Sequence, residues 1–385
     1  MMQVLEVIKL SIWDKQDIQC VLSQEDYDEM KRHALLSLAA PVLSRLIVQS
    51  DLREQWKKAV FQQLAYYTNY KFIQSRLPIE VPYVILKGTS ASQYYPYPEY
   101  RTMGDIDIMT RREDYECACE MLRGNNWRET TSTADQKRGR HRSFEKNGFV
   151  VEVHAFFASV NDPEKARYID DLIIDNITDN HILPDMINGI VLIDHVNQHM
   201  EEGIGLRQII DWMMFVDKCL PDDKWQEFQK LISKTGMETL AITTTRMCEI
   251  FLGLSEHKWC SGADERLCHR LMNYIMESGN FGVKKDQEER LAVSRTGKLR
   301  HPKAMLNELQ KKGIENWEAA TRCSLLKPFA WIWQGVKYLK DTPRFKEGYY
   351  KSKELHGLFN ALGVKRDENG LVYFENGEYI KKAKE

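Results

Sequence analysis

Residues 84–110, VILKGTSASQYYPYPEYRTMGDIDIMT, place two acidic side chains, Asp105 and Asp107, in an apolar stretch typical of a buried strand. Residues two apart on a strand point to the same face of the sheet. We therefore predict that both carboxylates project together, while Ile106 and Ile108 face the core. A buried carboxylate costs free energy unless a cation neutralises it. The pattern therefore indicates that the two acids hold a metal ion or a basic group.

A second acidic strand is predicted in VVEVHAFF, residues 150–157. Glu152 and His154 alternate with Val151 and Val153, so the acid and the histidine share one face. If this strand lies beside the first, Glu152 becomes a third carboxylate next to the aspartate pair. Clustered oxygen ligands on rigid strands suit Mg²⁺, which completes its coordination with water and phosphate. His154 can contact substrate or metal, or donate a supporting hydrogen bond to a ligand.

The turn after the first strand has the sequence LKGTS, residues 86–90. Backbone N–H groups at the start of a helix attract phosphate. Gly88 fits such a turn, Lys87 adds a positive charge, and Thr89 and Ser90 add hydroxyl donors. A phosphate-binding turn and three carboxylates for metal together predict two-metal phosphoryl-transfer chemistry.

Local patterns around these motifs predict an α+β fold, with a small mixed sheet and helical segments before and after it. Strands are expected at 83–86 and 105–109 and in three runs within 128–158. The Asn147–Gly148 pair predicts a hairpin turn between the last two runs. The sheet has too few inserted helices for a repeated βαβ fold.

Helical periodicity covers residues 24–79, where Ser23 is the expected N-cap, and residues 162–290. We therefore expect four regions along the chain. They are an N-terminal helical region at 1–80, a sheet core at 81–160, a helical domain that completes the active-site cleft at 161–290, and a basic, aromatic-rich C-terminal region at 291–385.

The order LKG, then YP.P..R..GDIDI, then VEVHAFF resembles the DNA polymerase beta-like nucleotidyltransferase superfamily. It resembles more closely the family of uncharacterised bacterial nucleotidyltransferases. The segment GIGLRQIIDW, residues 203–212, is similar to a helical element that often follows these motifs. Two features depart from the superfamily pattern. Thr89 follows the glycine where glycine or serine is usual, and sixteen residues with a Tyr/Pro loop separate Gly88 from Asp105.

The resemblance implies an enzyme that moves a nucleoside monophosphate group from a nucleoside triphosphate (NTP) to an acceptor, with two Mg²⁺ ions or with Mn²⁺. Asp105, Asp107 and Glu152 are the implied metal ligands and catalytic residues, and Glu152 can also act as a base toward the acceptor hydroxyl. The nucleotide-binding candidates are Lys87, Gly88, Thr89, Ser90, Arg101 and Gly104. Nothing in the sequence selects ATP or another NTP, or an acceptor among small molecules, sugar phosphates, proteins and RNA.

The loop between the first two strands contains groups with two interpretations. Arg101 either reaches the triphosphate or pairs with Asp105 to keep it ionised, and the sequence favours neither. The loop tyrosines either stack a base or pack the loop onto the protein, and we favour packing for Tyr94, Tyr95, Tyr97 and Tyr100.

Residues 195–211 supply further pocket candidates on helices. His195 and His199, four residues apart, could form a zinc pair, but no third ligand accompanies them, and packing or pocket lining is favoured. Arg207 and Asp211, also four apart, predict a helical ion pair, with a pocket role as the weaker alternative. The possible pocket residues are His154, His199, Arg207 and Asp211.

The composition of the whole chain limits the class of protein and its location. The 385-residue chain has a net charge of -2, so no global field indicates nucleic acid or membrane. No apolar run is long enough to span a bilayer, and the N-terminus lacks a signal-peptide pattern. Eight cysteines without a Cys-x-x-Cys pair predict reduced thiols. We therefore expect a cytoplasmic protein, while the oligomeric state is not predicted.

Residues 298–385 differ from the rest because they contain 18 Lys and Arg against 11 Asp and Glu, with interleaved aromatics. Such a region can bind nucleic acid, lie on a membrane surface or pack as an amphipathic helix, and packing is the default. Two alternatives to an enzyme follow. One is an inactive nucleotide-binding or interaction protein of the same fold, and the other is a nucleic-acid-binding protein that uses its C-terminal region.

Adjacent carboxylates repel each other when both are charged. Neutralising either Asp105 or Asp107 in the metal-free protein is therefore expected to leave its stability unchanged or to raise it.

Overall fold

The computed structural model describes residues 2–14, 20–283, 287–300, 302–364, 371–375 and 377–382. It confirms the predicted α+β fold, with one five-stranded mixed sheet and helices before and after it. Buried apolar residues form two clusters, one on each face of this sheet. Among the described residues, no helix combines the length and the apolar character needed to cross a membrane.

The N-terminal region is mainly helical but also contains two short parallel strands that the periodicity did not predict. Ser23 caps a helix as predicted, because its hydroxyl accepts the Asp26 N–H while the Asp26 carboxylate accepts the Ser23 N–H. That helix ends in a Schellman motif at Ala34, whose positive φ interrupts the helix expected over 24–79. The elements are α1 (Met2–Trp13), β1 (Val21–Leu22), α2 (Gln24–Arg32), β2 (Ile47–Val48) and α3 (Ser50–Gln74).

The central sheet follows, with helices inserted between its strands. The strands are β3 (Tyr83–Leu86), β4 (Ile106–Thr110), β5 (Arg128–Glu129), β6 (His141–Lys146) and β7 (Phe149–His154). Their spatial order is β3-β4-β7-β6-β5, in which β4 and β7 are parallel and the other neighbours are antiparallel. The inserted helices are α4 (Gly88–Ser92), α5 (Tyr115–Gly124) and α6 (Thr133–Arg138).

The predicted hairpin joins β6 to β7. Asn147 and Gly148 both have positive φ, 54° and 78°, as a two-residue turn that matches strand twist requires. The last strand is shorter than the apolar run suggests, because the backbone N–H groups of Phe157 and Ala158 bond to the Asp170 carboxylate instead of a neighbouring strand. The sheet therefore ends beside a loop that a helix anchors.

The two faces of β4 and β7 have different roles. Ile106, Ile108, Val151 and Val153 are buried together with residues of α3 and α5, as predicted for the core side. The alternate residues, including Asp107, face the helices that come later in the chain.

These later helices are α7 (Pro163–Ile174), α8 (Asp185–His199), α9 (Leu206–Cys219), α10 (Trp225–Ile232), α11 (Glu238–Leu252) and α12 (Glu265–Ser278). Helix α9 begins after a segment that needs glycine. A Cβ at Gly203, which has φ +116°, would lie 2.5 Å from the Cα of Gly282. This close approach fixes α9 against the loop that follows α12.

The C-terminal region contains α13 (Gln287–Gly297), α14 (Pro302–Asn316), α15 (Glu318–Arg322), α16 (Ala330–Lys340) and α17 (Phe345–Ala361), and then β8 (Leu371–Glu375) and β9 (Glu378–Lys382). Strands β8 and β9 form an antiparallel hairpin. The Tyr379 hydroxyl donates to Asp170, and Arg138 Nε donates to the Val372 carbonyl at 2.9 Å. The hairpin therefore packs back onto the loop at the end of β7.

Candidate active site

Asp107 and Glu152 lie side by side on neighbouring parallel strands. Their Cα atoms are register partners in the β4–β7 pair, and both side chains leave the same face of the sheet. One ligand atom from each of Asp107, Glu152 and His154 lies within 4.8 Å of the others. The structure thus brings together two of the three predicted acids and the predicted histidine.

Asp107 is the more enclosed of the two acids in this cluster, with 6% of its surface exposed. Lys87 Nζ donates to Asp107 Oδ1 at 3.0 Å, and His154 Nε2 lies 2.9 Å from the same oxygen. Burial opposes ionisation of Asp107, but the Lys87 ammonium and the His154 hydrogen bond outweigh it and lower the pKa of this carboxyl. Because an ionised carboxylate only accepts, His154 Nε2 is the donor.

The pKa of Glu152 is shifted in the opposite direction to that of Asp107. Its burial and the nearby charge of Asp107 raise its pKa to about 8. His141 Nε2 lies 3.4 Å from Glu152 Oε1, and Ser143 Oγ donates to this oxygen at 3.5 Å. At neutral pH the metal-free site therefore holds one charged acid and one mostly protonated acid. A bound cation would favour ionisation of both.

Asp105 lies just before β4 and is solvent-exposed, outside the group of three close ligands. Partial desolvation and the Asp107 carboxylate raise its pKa, although Lys87 and Arg207 oppose the shift. The Tyr70 hydroxyl donates to the Asp105 carbonyl at 3.1 Å and holds its backbone in place. The role of Asp105 as a metal ligand stays a prediction.

The Lys87–Gly88 turn has an unusual backbone. Lys87 has φ 53° and ψ -146°, a region that costs a non-glycine residue strain and is found mainly at functional sites. Gly88 has φ +43°, and an added Cβ would lie 2.5 Å from the Tyr70 hydroxyl oxygen. Within the described residues, the backbone N–H groups of Gly88 and Thr89 have no acceptor. These two N–H groups can therefore donate hydrogen bonds to an anion.

The side chains that follow this turn already have protein partners. Thr89 Oγ1 donates to Gln74 Oε1 at 2.8 Å, and buried Ser90 Oγ donates to Asn188 Oδ1 at 3.2 Å. Gly104 is exposed, and an added Cβ there would meet nothing within 4 Å. The nucleotide-binding roles of these residues stay predictions.

Arg101 is paired with Asp211, which corrects an expectation from the sequence. Its Nε and Nη2 donate to the two Asp211 oxygens, both at 2.6 Å. Tyr95 donates to the same carboxylate at 2.7 Å. Arg101 therefore does not pair with Asp105, which was one of its two alternatives. The predicted helical Arg207–Asp211 pair is wrong, because Arg101 binds both oxygens of Asp211.

Three of the four loop tyrosines pack onto the protein, as predicted. Tyr94 and Tyr95 are buried and donate hydrogen bonds to Asp185 and Asp211. Tyr100 is half-buried and packs against the apolar core. Tyr97, in contrast, is 47% exposed.

Arg207 is a buried cation without a carboxylate partner. Its side chain donates from Nη1 to the Thr102 carbonyl at 3.3 Å, and its Nε is buried without a hydrogen-bond partner. In the part of the chain that the structure describes, no carboxylate lies within 4 Å of it. Burial and the neighbouring Arg101 lower the pKa of Arg207 to about 10. Its guanidinium lies 5.8 Å from the Phe281 ring centroid.

His195 and His199 face this same region from α8. Their rings lie 4.8 Å apart, and burial lowers the pKa of both. The described residues place no third metal ligand with them. This agrees with the interpretation as packing or pocket residues rather than as a zinc pair.

His141 also lies beside the site, although the sequence motifs did not single it out. It pairs with His154 across β6 and β7, and the ring centroids lie 5.2 Å apart. The signal was available, because counting outward from the predicted Asn147–Gly148 turn places His141 opposite His154.

Comparison with known proteins gives one match. A family model described as "Uncharacterised nucleotidyltransferase" matches residues 21–253, which is more than half of the chain. The protein therefore belongs to the uncharacterised nucleotidyltransferase family. No curated protein and no solved structure matches it.

Proposed function

We propose that this member of the uncharacterised nucleotidyltransferase family transfers a nucleoside monophosphate group from an NTP to an acceptor. The observation that carries the proposal is the pairing of Asp107 with Glu152 on adjacent parallel strands. The Lys87–Gly88 turn lies next to this pair through the Lys87–Asp107 contact. The acids proposed to bind metal and the turn proposed to bind phosphate therefore lie next to each other on one face of the sheet.

The carboxylate cluster fits a divalent cation. The raised pKa of Glu152 comes first from its burial and then from repulsion by Asp107, and a metal ion would relieve that repulsion. Oxygen ligands from Asp105, Asp107 and Glu152 suit Mg²⁺ and also Mn²⁺, and His154 would orient Asp107 through its hydrogen bond. Two bound ions would stabilise the attacking and the leaving oxygens of the displacement.

The remaining groups of the turn and of α9 supply positive charge for the triphosphate. The free N–H groups of Gly88 and Thr89 would donate to phosphate oxygens. Lys87 keeps Asp107 ionised without metal, and in the complex it can divide its three donors between Asp107 and phosphate. Arg207 would add a second cation, which has no carboxylate within 4 Å among the described residues.

Glu152 would accept the proton of the acceptor hydroxyl as a base. It can do so only in its ionised form, which a bound cation would favour. The helices of residues 161–290 would complete the cleft, with His195, His199 and Arg207 on its far wall.

All eight cysteines are free, which supports the proposed location in a reducing cytoplasm.

A transfer screen tests this function. Purified protein, Mg²⁺ and each of the four α-labelled NTPs are incubated with an extract of small molecules and macromolecules. The expected result is label in one acceptor class with the parent and loss of nearly all label with Asp107→Asn. Asp223→Asn, which alters an exposed acid away from the site, should retain the parent rate. An unchanged rate in Asp107→Asn would contradict the proposal.

A further inference from the structure

The helical segment 324–340 packs on one side only. It begins as a 3-10 turn at Ser324–Phe329 and continues as α16. On its inner side Ala330 is fully buried, and its carbonyl lies so close to Gly313 of α14 that a side chain there would clash. Gln334 is also buried. The inner side is therefore a close helix–helix contact.

The outer side is apolar and exposed. Five large apolar side chains are 45–80% exposed there: Leu325, Phe329, Ile332, Val336 and Leu339. Their spacing of four, three, four and three residues is that of one helical face. An ordered row of this kind on a helix indicates an interaction surface rather than single exposed residues.

Within residues 319–340 the charge has a single sign, and Glu318 and Asp341 flank this stretch. Residues 319–340 contain four basic residues and no acidic residue. Arg322 is paired with Glu318, whereas Lys327 and Lys340 have no carboxylate within 4 Å among the described residues. The exposed face therefore combines apolar side chains with free lysine charges.

The apolar side chains and the lysine charges together favour one kind of partner for this exposed face over the others. A second copy would bring the same lysines together, which costs free energy through repulsion. Nucleic acid binds through phosphate contacts and aromatic stacking, and it gains little from Leu, Ile and Val. An anionic lipid surface satisfies both features, because the apolar row enters the interface while the lysines meet the headgroups.

We propose that segment 324–340 binds the surface of an anionic lipid bilayer without crossing it. The segment lies outside residues 21–253, which match the family. The inference is therefore independent of the proposed transfer reaction. It assigns to the C-terminal region the membrane-surface alternative, although one side of the helix packs on the protein as the default interpretation predicted.

Co-sedimentation of the full chain with vesicles tests the proposal. One set contains phosphatidylcholine with about 30% phosphatidylglycerol, so that it has an excess of negative charge, and the other contains phosphatidylcholine alone. The parent should bind the anionic set at least tenfold more strongly. Ile332→Ser/Val336→Ser should lower binding by roughly tenfold or more. Lys327→Gln/Lys340→Gln should lower it by about 30-fold, at roughly 1 kcal/mol per lysine.

Phe61→Ser is the matched control, because Phe61 is 69% exposed on α3, and it should bind as the parent does. Thermal melts of all variants should match the parent, since the altered side chains are exposed. Equal binding to both vesicle sets, or no binding to either, would overturn the proposal. So would a dimer that the Ile332→Ser/Val336→Ser change dissociates, or an RNA complex that the lysine changes abolish while vesicle binding is absent.

Discussion

Lys87 Nζ lies 3.0 Å from Asp107 Oδ1, and both side chains are about nine-tenths buried. This pair joins the Lys87–Gly88 turn to the acidic strand β4. Lys87 contributes to the lowered pKa of Asp107. It opposes the rise in the pKa of Glu152 that burial and Asp107 cause. Lys87 is thus a structural partner of the acid as well as a candidate phosphate ligand.

The pair changes the expected effect of neutralising the aspartates. Asp107→Asn removes the carboxylate that the buried Lys87 ammonium contacts, so we expect a loss of about 3 kcal/mol in the free energy of unfolding. Asp105→Asn removes an exposed charge that Asp107 repels, so it should be neutral or slightly stabilising. Urea denaturation in EDTA measures both. Equal effects of the two changes would show that the Lys87–Asp107 pair does not contribute to stability.

The Lys87–Asp107 contact thus changes the stability that we expect for Asp107→Asn, whereas the expectation drawn from the sequence for Asp105→Asn stays a prediction. The alternation of acidic and apolar residues predicted which face each side chain occupies, because that depends only on local periodicity. It could not show that Lys87 lies against Asp107 rather than against Asp105. That choice depends on the register between β3 and β4, where Leu86 pairs with Asp107.

A second prediction separates Arg207 from Arg101. Arg207→Met removes a buried cation that has no carboxylate partner, so stability should hold or rise, while NTP affinity falls by about 10- to 100-fold through the loss of a charged hydrogen bond. Arg101→Met leaves Asp211 buried and unpaired, and should destabilise the protein by about 3–5 kcal/mol. Calorimetric NTP titration with Mg²⁺ and thermal melts measure the two effects. If Arg207→Met melts far below the parent and binds NTP normally, Arg207 is structural.

The third prediction concerns proton release on metal binding. Burial and Asp107 raise the pKa of Glu152 to about 8, so a metal ion that binds Glu152 at pH 7 must displace its proton. Mg²⁺ titration in weak buffer should release about one proton at pH 7 and almost none at pH 9. Glu152→Gln should abolish the release, whereas the control Asp223→Asn should keep it. Release from Glu152→Gln equal to that of the parent would place the metal elsewhere.

The fourth prediction uses Asp170, which is fully buried and accepts from Phe157 N, Ala158 N and Tyr379. Burial raises its pKa to about 7, whereas in the unfolded chain it ionises near pH 4. Between these values the folded state binds more protons than the unfolded state. The free energy of unfolding contributed by Asp170 therefore falls as pH rises from about 4 to 7.

Asp170→Asn should remove this slope, which is at most about 1.4 kcal/mol per pH unit. Urea denaturation at several pH values between 4.5 and 7.5 measures it. Asp171→Asn, which changes the neighbouring, half-exposed partner of Arg112, should keep the slope of the parent. Parallel curves for Asp170→Asn and the parent would contradict the assignment.

The sequence predicted much of the fold because its main signals are local. β3 was predicted with its observed bounds, and the Asn147–Gly148 turn fixed the β6–β7 register. The Arg101–Asp211 pair was not predictable, since its partners are 110 residues apart and the helix offered Arg207 as a nearer partner. The Schellman end of α2 at Ala34 was also hidden, because alanine normally favours helix continuation.

A crystal structure of the protein with Mn²⁺ and a non-hydrolysable NTP analogue would show whether Asp107 and Glu152 bind metal beside the triphosphate. We expect an anomalous manganese peak in contact with the carboxylates of Asp107 and Glu152. If two ions are present, the peaks should be about 3.5–4 Å apart, with the triphosphate on the Gly88 and Thr89 N–H groups. Manganese bound elsewhere, or a triphosphate away from the Lys87–Gly88 turn, would contradict it.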